Sequence, residues 1–572
     1  MCSFGLLVLA FEQQVDYQDS WVLGGLVVPF FVYVAIVSFA LCMTDSLPKL
    51  AIISTLVSVS MNILPGLKYE LFYGAGDSLK HYDIVSYIMA SGTVPTGPTE
   101  QRAAYSGAPD MQIVIAAFSL IVGASPNTGM KFAIPLAYSV FPPLVYFVSN
   151  RLISSEKLKK LIVVSAAFPN VIVYVLSGTV FALPLLLCVF TLPLIIAAAP
   201  NEQRRSYAML NMLLLIGLLL SHTLTPLLFL IFLVYLIVVM HVLRHFWTKG
   251  DRLVTSWMRN ILVLLTTAAI MFCAWWMFQA GFLFNTMIDN IQRMFAHEFR
   301  KPVVPTRFLE LDFFGRIQIL LVTHGRDLAL TALVVLGVLT LLKRRKLERR
   351  ERHFYTCLVI LMIAIGSVLV IQLITAYGDF EVARWFEYAL TFAPFLAGLG
   401  LYATRSILCK RFGPTKTRFL MGALVFVIIS LSVVQFYPFQ PLVPTGDALG
   451  LSSQDYVVYV HQVNTSYQEL MIYFVSTHCP SNARVVSDLL TRDQGLGLFY
   501  GPLHSAGCVL IWQSQLSSTA DLKWNLFLLH EKRAGPLLDP IEYRTTDKLE
   551  SARNHAGWNT VYDSGASFVL QR

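Results

Sequence analysis

Apolar runs long enough to cross a lipid bilayer recur along this chain and limit what it can fold into. A helix needs about 20 predominantly apolar residues to span the hydrocarbon core. Charged residues make up 13% of the 572 residues, whereas a soluble domain has roughly a quarter. The pattern predicts a polytopic α-helical membrane protein with about twelve transmembrane helices, near residues 21–42, 49–65, 129–150, 161–175, 178–199, 207–221, 224–243, 260–283, 326–343, 354–376, 385–404 and 419–438.

A shorter run at 111–123 and the basic residues together indicate how the chain is threaded. This run has about 13 residues, too few to cross, so we expect it to lie in the membrane interface. All the basic clusters then fall on one side, which the positive-inside rule assigns to the cytoplasm. The net charge of +9 therefore reflects topology, and no nucleic-acid partner is expected. The clusters are Arg151 with Lys157, Lys159 and Lys160; Arg204 with Arg205; Arg244, Lys249, Arg252 and Arg259; residues 343–352; and Arg405, Lys410, Arg411, Lys416 and Arg418.

With this orientation, residues 66–128, 284–325 and everything after about 439 lie on the extracytoplasmic side. Residues 1–440 are predicted to form the membrane domain. Residues 441–572 have ordinary polarity and predict a small extracytoplasmic α/β domain. In that domain we expect strands at 483–488, 507–512 and 566–572, and helices at 467–479 and 521–533.

The eight cysteines show no metal-binding spacing. Cys479 and Cys508 both lie in the C-terminal domain and can form a disulfide if that domain faces an oxidising compartment. Five others fall in or beside apolar runs, where we expect inert core residues: Cys42, Cys188, Cys273, Cys357 and Cys409.

The segment GAGDSLKHYDIVSYIMASGTVPTG, in the first external region, contains the most suggestive charged residues. Asp77 and His81 lie one helical turn apart, just outside an apolar run. Ionisable groups near hydrocarbon are costly and are usually functional. One interpretation is that Asp77 is the N-cap of an amphipathic helix over 78–92, with His81 on its surface. The other is that Asp77 accepts a proton from an attacking hydroxyl.

The wider pattern resembles the first external loop of the GT-C superfamily. Its members are integral membrane glycosyltransferases that use polyprenyl-phosphate-linked sugars, among them protein mannosyltransferases and aminoarabinose transferases. The resemblance rests on a glycine-aspartate, a histidine four residues later, a helix, a G-x-V-P sequence, and a segment with Tyr105 that ends at Pro109. It implies a GT-C-like fold with a C-terminal extracytoplasmic domain.

The resemblance also implies roles for particular residues. Asp77 corresponds to the family's catalytic carboxylate, which takes the acceptor's proton in an inverting transfer. Arg384 resembles the arginine that meets the lipid phosphate, since a planar guanidinium binds phosphate oxygens bidentately. The alternative interpretation of Arg384 is an interfacial arginine paired with Glu387 or Asp379. His222, in LLLSHTLTPLL, is a further phosphate-binding candidate or a histidine bonded to backbone carbonyls. His81, Lys80 and Glu387 complete the candidate first shell.

One departure from the family concerns metal binding. Many members have an acidic pair in the second external loop, but the corresponding turn here is LSGT at 176–179. We therefore expect no firm cofactor and assign no metal ligand, although a divalent metal stays open. The predicted function is transfer of a sugar from a polyprenyl-phosphate donor to an extracytoplasmic glycan, lipid or protein. The alternatives are a transporter or lipid flippase, and a non-catalytic scaffold of the cell envelope.

Overall fold

The computed structural model describes residues 20–68, 77–94, 108–168, 179–221, 225–246, 252–278, 313–343, 349–375 and 382–436, together with five strand segments between 484 and 571. The chain divides into two compact units. The first consists of Met1–Pro65, Val94–Val114 and Phe132–Phe439. The second consists of Gly66–Thr93, Ile115–Lys131 and Gln440–Arg572.

The described helices occupy the predicted apolar runs. They are α1 (Ser20–Met43), α2 (Leu47–Lys68), α3 (Asp77–Ser91), α4 (Asp110–Val122), α5 (Pro126–Tyr138), α6 (Phe141–Leu152), α7 (Glu156–Ser165), α8 (Thr179–Ala198), α9 (Asn201–Ser221), α10 (Thr225–Phe246), α11 (Arg252–Phe278), α12 (Phe313–Lys343), α13 (Arg349–Thr375) and α14 (Val382–Phe436).

Length and composition identify this helical array as that of a multi-pass membrane protein. Among the described residues, five helices are long and apolar enough to cross a bilayer: Pro126–Leu152, Thr225–Val242, Thr255–Trp275, Gly325–Leu342 and Tyr388–Leu431. Large apolar side chains point away from the protein, as lipid-facing residues do; Leu213 is 63% exposed and Ile270 65%. The count of twelve spans stays a prediction.

Two predicted spans differ from the helices observed. The run at 161–175 is not one helix, since α7 ends at Ser165. Phe168 follows shortly and precedes a proline, which disfavours helical backbone at the residue before it. The two runs at 385–404 and 419–438 belong to the single element α14, which is broken at Gly413 (φ 76°, ψ 171°).

Glycines allow α12 and α14 to pack with their backbones in contact. A Cβ on Gly337 would overlap the carbonyl oxygen of Leu396, and a Cβ on Gly400 would overlap that of Leu333. Small residues at such a crossing let helices approach closely in lipid, where apolar burial gives no driving force between them. The α12–α14 crossing therefore depends on glycine at both of these positions.

Helix α7 packs against the same part of α14. A Cβ on Gly398 would lie 2.6 Å from Cα of Ile162. The Ser165 hydroxyl donates to the carbonyl oxygen of Pro394 at 2.6 Å, so a buried polar group is satisfied across the helix interface. Buried side chains of α1, α2, α7, α12 and α14 form one apolar core around this point.

Several of the basic loops meet at one end of the first unit. Asp45 lies 3.6 Å from Lys160 and 3.6 Å from Arg418, which joins the α1–α2 turn to two basic clusters. The buried carboxylate of Glu351 accepts hydrogen bonds from the backbone N–H of Ser154 (2.9 Å) and of Ser155 (3.1 Å). We call this the basic end; it agrees with the threading inferred from the sequence, and its assignment to the cytoplasm stays a prediction.

The described part of the C-terminal region forms a five-stranded mixed sheet. Its strands are β1 (Arg484–Ser487), β2 (Val509–Trp512), β3 (Leu526–Glu531), β4 (Asn559–Asp563) and β5 (Ser567–Gln571), in the order β2-β1-β3-β5-β4. β1 pairs in parallel with β2 and β3, whereas β5 pairs antiparallel with β3 and β4. The strands predicted at 483–488, 507–512 and 566–572 are confirmed. The helix predicted at 467–479 lies outside the described residues, as do Cys479 and Cys508.

The helix predicted at 521–533 is wrong, because Leu526–Glu531 is the central strand β3. A short apolar run such as LFLL fits either structure locally. Pairing with β1 on one side and β5 on the other supplies hydrogen bonds that a lone helix could not match in this position.

The cysteine prediction holds for some positions only. Cys188 and Cys357 are buried, whereas Cys273 and Cys409 are exposed, so these two are not core residues. Exposure to lipid accounts for Cys273, which lies inside the apolar helix α11.

Replacing Gly400 by alanine tests the α12–α14 crossing. The added methyl group collides with the Leu333 carbonyl, so we expect a loss of about 1–3 kcal/mol in stability and a lower melting temperature in detergent. Gly366→Ala in α13 is the matched control, because nothing lies within 4 Å of its added Cβ. Alanine favours a helix there, so a destabilised Gly366→Ala together with an unaffected Gly400→Ala would contradict this account.

Candidate functional site

Helix α3 confirms the helix predicted from the Asp77 segment. Its buried residues are spaced at one face of a helix: His81 (3% exposed), Ile84, Val85 and Ile88. The helix ends at Gly92, whose backbone has φ 70° and whose N–H donates to the carbonyl oxygen of Ile88 at 2.8 Å. A left-handed glycine after the last turn is a common way for a helix to end.

The structure shows that the His81 side chain is buried, which bears on the surface position suggested by the sequence. A surface position for His81 is wrong, since its side chain belongs to the buried face of α3. A buried imidazole requires hydrogen-bond partners, so its ring is held in a defined orientation. Asp77 is the first residue of α3, one turn before His81 on the same side of the helix. The side chains of Asp77 and Lys80 lie outside the described residues.

A direct contact in the first unit joins two segments that the sequence assigns to phosphate binding. The Tyr388 hydroxyl donates to the backbone carbonyl oxygen of Thr225 at 3.1 Å. Both residues are 1% exposed, and the Tyr388 ring packs edge-on against Phe232 with ring centroids 6.1 Å apart. The start of α10 is thus fastened to the second turn of α14.

The two phosphate-binding candidates flank this contact in the sequence. Arg384 lies in the first turn of α14, four residues before Tyr388. His222 lies three residues before Thr225, in a turn outside the described residues. Glu387 directly precedes Tyr388, and the side chains of Arg384 and Glu387 are not described either. The described contact therefore joins the start of α10 to the second turn of α14, two parts of the chain 163 positions apart.

This contact lies far from the basic end of the same unit. From Tyr388 to the break at Gly413, α14 advances by 25 residues, and at 1.5 Å per residue this is about 38 Å. That length matches a hydrocarbon core of about 30 Å with a margin for the interface. Tyr388 and the break at Gly413 are therefore separated by about the thickness of a bilayer core.

The candidate residues are distributed over both compact units. Asp77, Lys80 and His81 belong to the second unit, while His222, Arg384 and Glu387 belong to the first. Contacts within each unit support the two groups separately.

A buried arginine in the middle of α12, Arg326, was missed by the sequence analysis. Arg326 is 1% exposed, and its Nη2 lies 2.6 Å from Oδ1 of Asp327. Its Nε also donates to that oxygen, at 2.8 Å. The signal was the Arg-Asp pair at the predicted start of an apolar span, where an isolated charge would be costly. Because Asp327 balances its charge, Arg326 is better suited to a structural role inside α12 than to binding an anion.

Asp110 was also missed, although it follows Pro109 at the end of the first-loop motif. It begins α4, which has 13 residues and is too short to cross a bilayer. Burial raises the pKa of the Asp110 carboxyl above its ordinary value. Burial removes the carboxylate from water and so disfavours its charged form in the folded protein.

The described residues contain no group of three or more histidine, cysteine, aspartate or glutamate side chains arranged to hold a metal ion. The LSGT turn lies largely outside the described residues, with Thr179 at the start of α8.

Comparison with solved structures finds two similar crystal structures of ArnT from Cupriavidus metallidurans. One is in the apo state (12% identity) and one is bound to undecaprenyl phosphate (11% identity). For both, the TM-score is 0.49, with 92% of this chain and 97% of the other covered. A TM-score below 0.5 does not establish a shared fold, so this likeness is a similarity and no more. No family model matches the chain, and no curated protein matches it.

Removing the Tyr388 hydroxyl tests whether it fastens the start of α10. In Tyr388→Phe the Thr225 carbonyl loses a donor, so we expect a stability loss of about 1 kcal/mol and faster hydrogen exchange in a peptide covering 221–230. Tyr235→Phe is the matched control, because it removes a 2.8 Å hydrogen bond to Ser367 elsewhere on α10. Equal exchange at 221–230 in both variants would show that the Tyr388 contact does not hold this segment.

Replacing Asp110 by asparagine tests the effect of its burial. An acid whose folded pKa is raised destabilises the protein above that pKa, and the penalty disappears as the pH falls toward the unfolded value of about 3.8. We therefore expect Asp110→Asn to melt at a higher temperature than the wild type at pH 7. The difference should shrink as the pH is lowered toward 4. Asp45→Asn, at a carboxylate that is 73% exposed, should show no such pH-dependent gain.

Proposed function

We propose that this chain is a membrane glycosyltransferase of the GT-C type. It transfers a sugar from a polyprenyl-phosphate-linked donor to an extracytoplasmic acceptor, which is a glycan, a lipid or a protein. The observation that supports this most directly is the Tyr388–Thr225 contact. It joins the start of α10, which follows His222 in the sequence, to the turn of α14 that follows Arg384, about one bilayer thickness from the basic end.

A site at this depth suits a lipid-linked donor. The polyprenyl chain stays in hydrocarbon, while its phosphate reaches the interface beside the start of α14. In the proposal the Arg384 guanidinium binds the phosphate oxygens bidentately and stays charged at any physiological pH. His222 is a second donor to the same phosphate.

The transfer itself requires a base and a stabilised leaving group. The acceptor hydroxyl oxygen forms a bond to the sugar's anomeric carbon as the bond from that carbon to the phosphate oxygen breaks. Asp77 takes the hydroxyl proton, and the electron pair of the broken bond leaves with the polyprenyl phosphate. Arg384 stabilises the charge that develops there. Attack from the face opposite the phosphate inverts the anomeric centre.

The neighbours of Asp77 have supporting roles in this proposal. His81 is held in the buried face of α3 and fixes that helix one turn from the base. Lys80 and Glu387 are further candidates for the first shell. The mixed sheet of the C-terminal region is proposed to recognise the acceptor or to cap the site on the extracytoplasmic face of the cell membrane.

The base assignment is tested by mass spectrometry of surface glycans from cells with wild-type, deleted and Asp77→Asn forms, matched for membrane insertion. We expect deletion to remove one sugar and Asp77→Asn to lower its transfer by about 10²–10⁴-fold. Asp45→Asn is the control, because it changes an exposed carboxylate at the basic end. If deletion alters the glycans while Asp77→Asn does not, Asp77 is not the base and transport or scaffolding becomes the better explanation.

The phosphate assignment is tested separately with Arg384→Gln. We expect about a 10²–10³-fold lower transfer, because one charged donor to the leaving group is lost. Arg384→Lys should recover only part of the activity, since an ammonium group cannot bind two oxygens in the same planar geometry. Arg205→Gln removes a charge from an exposed basic cluster and should leave transfer unchanged. Full activity of Arg384→Gln would contradict the assignment.

A further inference from the structure

The break in α14 combines positive charge with exposed apolar side chains. Residues 405–418 include five lysine or arginine residues and no aspartate or glutamate. Beside these cations lie Ile407 (61% exposed), Phe412 (42%) and Phe419 (59%). We call residues 405–419 the Gly413 turn.

This turn has a defined shape. Gly413 has φ 76°, which side-chain-bearing residues rarely adopt, and Pro414 follows it. The hydroxyl of Thr417, which is 1% exposed, donates to the carbonyl oxygen of Gly413 at 2.6 Å. The Arg411 guanidinium lies 5.4 Å from the centre of the Phe412 ring. These contacts hold the charged and aromatic side chains of the Gly413 turn in a defined arrangement.

The protein itself balances little of this charge. In the described ranges, Asp45 is the carboxylate that pairs with the turn, 3.6 Å from Arg418. Asp45 is 73% exposed and is shared with Lys160, also at 3.6 Å. The nearby carboxylate of Glu351 is engaged by Ser154 and Ser155. Lys410, Arg411 and Lys416 are exposed.

Topology alone explains the charge, because basic loops collect on one side of a membrane protein. It does not explain why two phenylalanines and an isoleucine are exposed among the cations. In water that exposure is unfavourable, but at a membrane interface aromatic rings enter the boundary of the acyl chains while basic groups meet phosphates. The combination is complementary to an anionic lipid surface.

We propose that the Gly413 turn binds anionic phospholipid headgroups of the leaflet that faces the basic end. Lys410, Arg411 and Lys416 contact the lipid phosphates, and Phe412 and Phe419 enter the adjoining acyl region. This site lies at the break inside α14, far along that element from Arg384, and it does not depend on the glycosyltransferase proposal.

The experiment measures binding of fluorescent phosphatidylglycerol to the purified full-length protein in a neutral detergent, with phosphatidylcholine as the neutral probe. We expect phosphatidylglycerol to bind more tightly and to be displaced by salt. Each cation near an anionic surface strengthens binding about fivefold, so Lys410→Gln/Arg411→Gln should weaken it by about 25-fold.

The matched control is Arg204→Gln/Arg205→Gln, which removes two charges from another basic cluster, at the start of α9. That segment contains Glu202 and has no phenylalanine in residues 200–208. Phosphatidylglycerol binding to this control should equal the wild type. Equal losses in both double variants would overturn the proposal, because they would indicate a diffuse effect of net charge.

A third variant, Phe412→Ala/Phe419→Ala, keeps every charge and tests the apolar half of the site. We expect it to weaken phosphatidylglycerol binding and to leave the elution volume on size exclusion unchanged. Unchanged binding in this variant, or equal binding of the two lipids by the wild type, would overturn the proposal. If the wild-type protein binds phosphatidylglycerol and phosphatidylcholine equally, an acidic protein segment becomes the better candidate for the occupant of the turn.

Discussion

The close crossing of α12 and α14 is the contact on which the rest of the membrane unit depends. Gly337 faces the Leu396 carbonyl and Gly400 faces that of Leu333, so each helix occupies space that a side chain of the other would need. In lipid, apolar side chains gain nothing by leaving one apolar medium for another. Close backbone packing and interhelical hydrogen bonds must therefore hold the helices together. Gly398 against Ile162 extends the same arrangement to α7.

Once α14 is held in this way, it fixes the separation of the two functional regions. Its N-terminal part runs from Arg384 and Tyr388 to Gly413, and a helix of that length has one bilayer thickness between its ends. The Tyr388–Thr225 hydrogen bond fastens α10 at one end, and the Asp45 ion pairs gather basic loops at the other. One helical segment therefore sets the distance between the Tyr388–Thr225 contact and the basic end.

Many buried polar side chains of the described residues bond to a carbonyl in their own helix, as Ser38 and Ser149 do, and a few bond across helix boundaries. Ser54 donates to the Val163 carbonyl at 2.9 Å, and Ser165 to that of Pro394 at 2.6 Å. Glu351 accepts at the start of α7 from residues nearly 200 positions away. Hydrogen bonds between helices fix how the helices are oriented and aligned against each other. The apolar surface around them makes the unit compatible with lipid.

The sequence by itself determined the local structure of this protein. Runs of apolar residues predicted the helices, the spacing in the Asp77 segment predicted α3, and three β-rich segments predicted strands of the sheet. These features follow from periodicity and composition over a few turns, which need no knowledge of distant neighbours. The clustering of basic residues likewise indicated which loops share an end of the membrane unit.

Only the tertiary structure decided which residues meet. It buried His81 and Arg326, turned Leu526–Glu531 into a central strand, and brought Thr225 to Tyr388 across 163 positions. Each outcome depends on partners far away in the chain: a second strand on either side, a neighbouring helix, or a glycine that lets two backbones approach. Local patterns contain no record of those partners, so most helices and strands could be predicted, whereas the contacts between them and the strand at Leu526–Glu531 could not.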